Sequence, residues 1–235
     1  MSLEPPAGRP RLAPVGSLGH NCRMHAAATP RLRGVFHQWS FFLALAAGVV
    51  LVVLARGARE HVAVSVYVAA LAAMFGASAL YHRYPWRSPA HRVWARRLDH
   101  SMIFLFIAGT YTPFALLRFD GWVPVVVLVC VWGGAALGLV LNLAWIDAPK
   151  WVTAPAYLLV GWVGVLVAPQ LFTEVGITGG VLIAVGGLLY TLGALTYALH
   201  WPNPWPRWFG FHEVFHVLVA VAAAVQFVAV ALVVA

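Results

Sequence analysis

Residues 211–235 have the sequence FHEVFHVLVAVAAAVQFVAVALVVA, a run of 25 residues in which only His212, Glu213 and His216 can ionise. A membrane hydrocarbon core is spanned by about 20 apolar residues, so this run is long enough to cross a bilayer as one helix. Stretches of similar character precede it along the chain. The seven spans predicted in this way are 36–55, 62–82, 98–117, 121–145, 151–169, 177–199 and 211–235.

Composition supports the same class of protein. With 62% hydrophobic and 9% charged residues, the chain is too apolar for a soluble domain of 235 residues. Lipid cannot satisfy backbone polar groups, so long uncharged runs must be helical, and the ten-residue alternation of a β-barrel is absent from the sequence. We therefore predict an all-α fold, a polytopic membrane protein built as a bundle of seven transmembrane helices.

The basic residues predict the orientation of this bundle. Twelve of the fifteen Lys and Arg residues fall on the side of the N-terminus, and three, Arg56, Arg59 and Arg118, fall on the other side. The positive-inside rule then places the N-terminus in the cytoplasm and the C-terminus outside. The net charge of +8 thus indicates a membrane surface and no nucleic-acid partner.

Two units are expected along the chain. Residues 1–35 are rich in Pro, Gly and Arg and predict a disordered basic cytoplasmic tail, and residues 36–235 form the seven-span domain. Cys22 and Cys130 support neither a disulfide framework nor a cysteine zinc site. For a prokaryotic chain, the predicted location is the inner (cytoplasmic) membrane, as a multi-pass protein, with membrane lipids as partners and no oligomeric state predicted.

Ionisable groups inside the spans indicate a metal site. His82 ends the second span, Asp99 begins the third, and His212 and His216 begin the seventh, so the predicted topology brings all four to one depth. Residues four apart share a helix face, which lets His212 and His216 present two imidazoles to one ion and puts Ser78 one turn from His82. Three neutral imidazoles and a water make an open zinc site.

Simpler roles remain open for several of these residues. Asp99 is either a direct ligand, the group that holds the water, or a first-turn acid favoured by the helix dipole, which is the role predicted for Glu213. Ser78 can instead bond back to a helix carbonyl. An interfacial position is predicted for the histidines near span ends or in loops: His37, His61, His91, His100 and His200. Other divalent ions also accept three histidines and a carboxylate.

Four segments resemble the hemolysin III family, which belongs to the superfamily of the adiponectin and progestin receptors. They are PRLRGVFHQWSFF (30–42), SALYH (78–82), RRLDHSMIFLFIAGTYTPF (96–114) and FHEVFHVLVA (211–220). In the adiponectin receptors the matching histidines bind zinc, and the matching Asp and Ser hold a zinc-bound water. The resemblance therefore implies His82, His212 and His216 as zinc ligands and Asp99 and Ser78 as catalytic residues around the water.

This resemblance also implies a reaction. The receptor relatives are associated with ceramidase activity, so a zinc-activated water would hydrolyse a lipid amide of the ceramide type, with Asp99 as the general base. The family name supports a rival, a membrane-lytic or pore-forming hemolysin, although no predicted span has the charged strip of a channel lining. A third alternative is a membrane sensor or receptor in which the zinc is structural; the open fourth position argues against it.

Overall fold

A computed structural model describes residues 29–234. Within this range the chain forms helices and loops and no β-strand, which confirms the predicted all-α fold. The helices are α1 (Val35–Leu54), α2 (Gly57–Arg83), α3 (Pro89–Leu117), α4 (Val123–Ala144), α5 (Lys150–Gly161), a 3₁₀ helix (Trp162–Val167), α6 (Ala168–Glu174), α7 (Gly176–Leu199) and α8 (Phe211–Val234).

Seven segments of this structure are long and apolar enough to cross a membrane, as the sequence predicts. Six of them are single helices, and the fifth, Lys150–Glu174, comprises α5, the 3₁₀ helix and α6. Large apolar side chains cover the outside of the bundle, among them Val53, Leu137 and Ile177. Such an outer surface suits contact with lipid chains and would be a liability in water.

The third span begins well before the predicted residue 98. Ser88 caps α3 by accepting a hydrogen bond from the His91 backbone N–H at 3.4 Å, and Pro89 takes the first helical position, where its missing N–H is no loss. The added turns, PAHRVWARR, carry His and Arg side chains. Hydropathy therefore marks only the apolar part of this helix, and the charged start extends beyond it.

The fifth span is broken within its length, a feature that its hydropathy does not predict. α5 ends at Gly161 and the chain continues as a 3₁₀ helix before α6 begins. The Tyr111 hydroxyl, from α3, donates to the Gly161 carbonyl at 2.5 Å and accepts from the Gly164 N–H at 2.9 Å. These two bonds satisfy backbone groups at the break, as irregular backbone at membrane depth requires.

Close packing brings the helices that carry the predicted site together. α2 packs between α1 and α3, and α8 packs against α7, α1 and α3. At Gly109 of α3 an added Cβ would lie 2.5 Å from the Ala70 Cβ of α2, so only glycine allows the two backbones to approach this closely. The end of α2 and the starts of α3 and α8 are thereby held at the same end of the bundle.

A turn before α1 joins this end of the bundle. The Arg31 and Leu32 N–H groups donate to the carbonyls of Arg207 and Trp208, at 3.1 and 3.2 Å, in the loop before α8. The predicted tail thus includes residues that pair with the seven-span domain. Its residues 1–28 lie outside the described part of the chain, and their disorder stays a prediction.

Candidate metal centre

Three histidines from two helices converge at one end of the bundle. His82 lies in the last turn of α2, and His212 and His216 lie in the first two turns of α8. One ring nitrogen from each residue lies within 4.8 Å of the other two, and the Nε2 atoms of His82 and His212 are 3.3 Å apart. These three side chains are close enough to hold one metal ion.

The donor set fits a tetrahedral ion. Imidazole nitrogens bind zinc at about 2.0–2.1 Å, so two such ligands lie about 3.4 Å apart. The separation of His82 and His212 agrees with this spacing. His216 is only 2% exposed, and its Nδ1 has no hydrogen-bond partner among residues 29–234. A buried cluster of imidazoles with an unpartnered nitrogen suits a metal ligand set.

Asp99 lies beside the cluster. Its Oδ2 is 3.7 Å from the Nε2 of His82, the same nitrogen that faces His212. This separation is longer than a direct hydrogen bond and short enough for a strong electrostatic contact. The structure thus brings Asp99 to the three histidines.

Ser78 contacts His37, a residue outside the predicted site. Its Oγ is 2.8 Å from the Nδ1 of His37, in a hydrogen bond between two buried side chains. His37 also stacks on His216, with ring centroids 3.8 Å apart and an interplanar angle of 4°. The prediction that His37 is an interfacial residue was wrong, because its side chain is 3% exposed and touches both Ser78 and a ligand candidate.

A signal for His37 was present in the sequence. The predicted topology starts the first span at the same membrane face as the third and seventh spans, so His37 enters at the depth of Asp99 and His212. The reasoning that placed Asp99 and His212 at one membrane depth therefore applies to His37 as well. What the sequence could not show is the rotation of α1, which points His37 at α2 and α8 and away from lipid.

Glu213 has a structural role next to this cluster. It is fully buried, pairs with Arg33, and accepts a hydrogen bond at 2.8 Å from the Gly210 N–H, which precedes α8. An acid that accepts from backbone N–H groups at a helix start is stabilised by the helix dipole, as predicted for this residue. Arg33 precedes Gly34 in the sequence, and the backbone of Gly34 packs closely against the His82 side chain.

A cavity of about 350 Å³ extends from the cluster into the bundle. At one end it is bounded by Ser78, Asp99, His212 and His216, and most of its wall is apolar. Side chains of α3, the fifth span, α7 and α8 form this wall, down to Gln226. Its size is within the range of ligand-binding pockets.

The cavity approaches the outer surface between the fifth span and α7. Trp162 lines the cavity and is 41% exposed, and its Nε1–H donates to the Thr191 Oγ1 at 3.1 Å. The α7 residues that line the cavity include two small ones, Ala184 and Gly187. At this seam, Trp162 and Thr191 both line the cavity, and Trp162 also reaches the outer surface of the bundle.

The fold and the cluster define a class: a seven-helix membrane protein with three histidines able to hold a metal ion, two of which, His212 and His216, line an apolar cavity. The family model described as "Haemolysin-III related" matches residues 25–227. The chain therefore belongs to the haemolysin III family.

Individual relatives are similar over parts of the chain. The "Hemolysin-3 homolog" of Bacillus subtilis (strain 168) is 31% identical over 130 residues, which cover 55% of this chain and 58% of the relative. "Hemolysin-3" of Bacillus cereus is 29% identical over 130 residues, 55% of this chain and 57% of the relative. The human "Monocyte to macrophage differentiation factor" is 28% identical over 174 residues, 73% of this chain and 70% of the relative. The chain thus spans somewhat more than half the length of the bacterial relatives that it matches.

Proposed function

We propose that this protein is a zinc-dependent hydrolase of a lipid amide, of the ceramide type, located in the inner (cytoplasmic) membrane. The observation that carries the proposal is the position of three histidine nitrogens within 4.8 Å of one another at the head of the apolar cavity. Three protein ligands leave a fourth tetrahedral position for chemistry, whereas structural zinc sites normally fill all four with protein groups.

Zinc suits this donor set best. Imidazole is a favoured zinc ligand, although the same residues would accept other divalent ions. Bound by His82, His212 and His216, zinc would supply an activated water and polarise the carbonyl that the water attacks. The side chains around the cluster would supply the remaining functions.

Asp99 is the proposed general base. Its carboxylate lies 3.7 Å from the His82 ring nitrogen, at the edge of the cluster, where it can accept a proton from the attacking water and return it to the leaving amine. Ser78, which His37 holds in place, would help to orient that water. The apolar wall of the cavity would hold the acyl chain, which would enter from lipid at the seam between Trp162 and Thr191.

Metal analysis of the purified protein tests the ligand set. The wild-type protein should contain about one zinc per chain, and His82→Ala, His212→Ala and His216→Ala should each lose it. His61→Ala is the matched control, because His61 is exposed and, within residues 29–234, its side chain bonds only to the Gly57 carbonyl of its own helix. A folded wild-type protein that takes up no metal would overturn the zinc-hydrolase proposal.

Hydrolysis of a ceramide in detergent micelles tests the reaction. Asp99→Asn keeps the size of the side chain and removes the base, so it should retain zinc and lose roughly 100-fold or more in rate. Full activity in this variant would exclude Asp99 as the general base. Absence of amide hydrolysis in zinc-loaded wild-type protein would count against the reaction itself.

Membrane lysis is the second candidate, and the names of the bacterial relatives favour it. Leakage of dye from liposomes by the purified protein separates the two functions. Lysis predicts leakage that persists in His82→Ala. The hydrolase proposal predicts no leakage from liposomes that contain no ceramide.

A further inference from the structure

Gln226 is the one polar residue between His216 and Val234 in α8. It is 5% exposed, and its Nε2 donates to the Ile183 carbonyl of α7 at 3.1 Å. That bond fixes the amide and leaves Oε1 without a partner among residues 29–234. A polar side chain at such depth in a membrane protein indicates a function.

A second unpartnered group lines the same cavity from α7. The Tyr190 hydroxyl is buried and has no hydrogen-bond partner within the described chain. Thr110 of α3 also lines the cavity, and its Oγ1, which donates to the Phe106 carbonyl at 2.8 Å, can still accept a hydrogen bond. We call Thr110, Tyr190 and Gln226 the distal polar subsite.

The packing around Gln226 holds its side chain in place on the cavity wall. A Cβ added at Gly186 of α7 would lie 2.6 Å from the Gln226 Nε2, so the absence of a side chain at residue 186 makes room for the amide. Phe106, which also lines the cavity, packs its ring 6.2 Å from that of Tyr190. The amide and the hydroxyl are therefore held by their neighbours on the cavity wall.

The subsite lies far from the histidines along the bundle axis. Gln226 follows His216 by ten residues on α8, which at 1.5 Å per residue is about 15 Å. An extended chain advances about 1.2 Å per bond, since a residue of three backbone bonds spans about 3.3–3.6 Å. A lipid chain with its head at the histidines would therefore place roughly its twelfth carbon at the subsite.

The chemistry of the free atoms selects the group that would bind. The Gln226 Oε1 accepts only, whereas the Tyr190 hydroxyl both donates and accepts. The Gln226 amide packs at Gly186, which lies one helical turn from Tyr190 on the same face of α7. A hydroxyl on the lipid chain between them can donate to the amide oxygen and accept from the tyrosine. A keto group only accepts, so it can satisfy only the tyrosine, and a double bond satisfies neither group.

We propose that the distal polar subsite binds a mid-chain hydroxyl, so that the cavity prefers a hydroxylated lipid chain over a plain one. This inference rests on the proposed function only for the direction of the lipid chain, whose head group would face the histidines. A buried water that bonds to the same atoms is the competing occupant, and it would give no preference between chains.

Equilibrium dialysis of radiolabelled 12-hydroxyoctadecanoic acid and octadecanoic acid against the purified protein tests this preference. We expect wild type to bind the hydroxylated chain about tenfold more tightly, since each net hydrogen bond contributes a modest factor. Tyr190→Phe and Gln226→Leu should each reduce the preference, measured as the ratio of the two dissociation constants, several-fold. Ser101→Ala, which removes a buried hydroxyl that has no partner within residues 29–234 and lies outside the cavity wall, is the matched control.

Equal affinity of wild type for the two chains would overturn the proposal, and so would a preference that persists in both variants. If Gln226→Leu fails to fold, Tyr190→Phe still decides, because it removes one atom that has no partner within residues 29–234. The readout is binding and needs no turnover. Protein that prefers the hydroxylated chain but hydrolyses no amide would contradict only the proposed function.

Discussion

The rings of His37 and His216 stack face to face, with centroids 3.8 Å apart and 4° between their planes. His37 also bonds to the Ser78 hydroxyl, so one side chain from α1 contacts both a ligand candidate and a residue next to the proposed water. Groups that orient metal ligands in this way contribute substantially to metal affinity.

His37→Ala should weaken zinc binding about 10- to 100-fold, because His216 loses the ring that sets its orientation. A competition titration with a chelator measures the affinity. The absorption bands of the cobalt-substituted protein should also shift, which a purely structural loss would not produce. His91→Ala, an exposed change near the start of α3, is the control, and unchanged affinity in His37→Ala would refute the orienting role.

Gly34→Ala should destabilise the protein more than Gly57→Ala. Both glycines have positive φ, +78° and +77°, so both substitutions carry a backbone strain of about 1–2 kcal/mol. Only at Gly34 would the added Cβ clash, at 2.5 Å from the His82 Cβ; at Gly57 nothing lies within 4 Å. Thermal unfolding in detergent and zinc content should both show the difference, and equal losses would mean that the turn shifts away from His82 freely.

The buried ion pair of Arg33 and Glu213 should respond asymmetrically to substitution. The Glu213 side chain is fully buried, whereas that of Arg33 is 22% exposed. Arg33→Met would leave an unpaired buried carboxylate and should cost about 3 kcal/mol. Glu213→Gln leaves an arginine that can reach water and should cost less. Denaturant unfolding gives both values, with Arg207→Met in the preceding loop as the control; a larger loss in Glu213→Gln would contradict this account.

Tyr111→Phe should destabilise the break in the fifth span. The lost hydroxyl bonds to both Gly161 and Gly164, so its removal leaves two backbone groups unsatisfied and should cost about 2 kcal/mol. Hydrogen exchange of residues 161–167 should accelerate. Tyr190→Phe is a matched control, because its hydroxyl has no protein partner within residues 29–234. Similar stability of the two variants would show that the backbone at the break is satisfied in another way.

The sequence alone allowed prediction of the seven spans, because the length of an apolar run measures the lipid thickness that a helix must cross. It also allowed His82, Asp99, His212 and His216 to be assigned to one membrane face. Successive spans run in opposite directions, and the asymmetry of the basic residues indicates which face is cytoplasmic. The start of α3 and the break at Gly161 were not predictable in this way. The start of α3 carries charged residues and lies outside the apolar run. The break at Gly161 depends on Tyr111, which belongs to a different helix.

Hydropathy therefore determined how many helices are able to cross a membrane, and the alternation of their directions determined which helix ends lie at the same face. Tertiary structure alone decided how each helix is rotated about its axis, and with it that His37 faces Ser78 and His216, that Glu213 pairs with Arg33, and that Gln226 faces the cavity. The physical reason is that a helix surrounded by apolar side chains has no strong amphipathic face to set its rotation. Small residues and close packing against neighbouring helices set it instead.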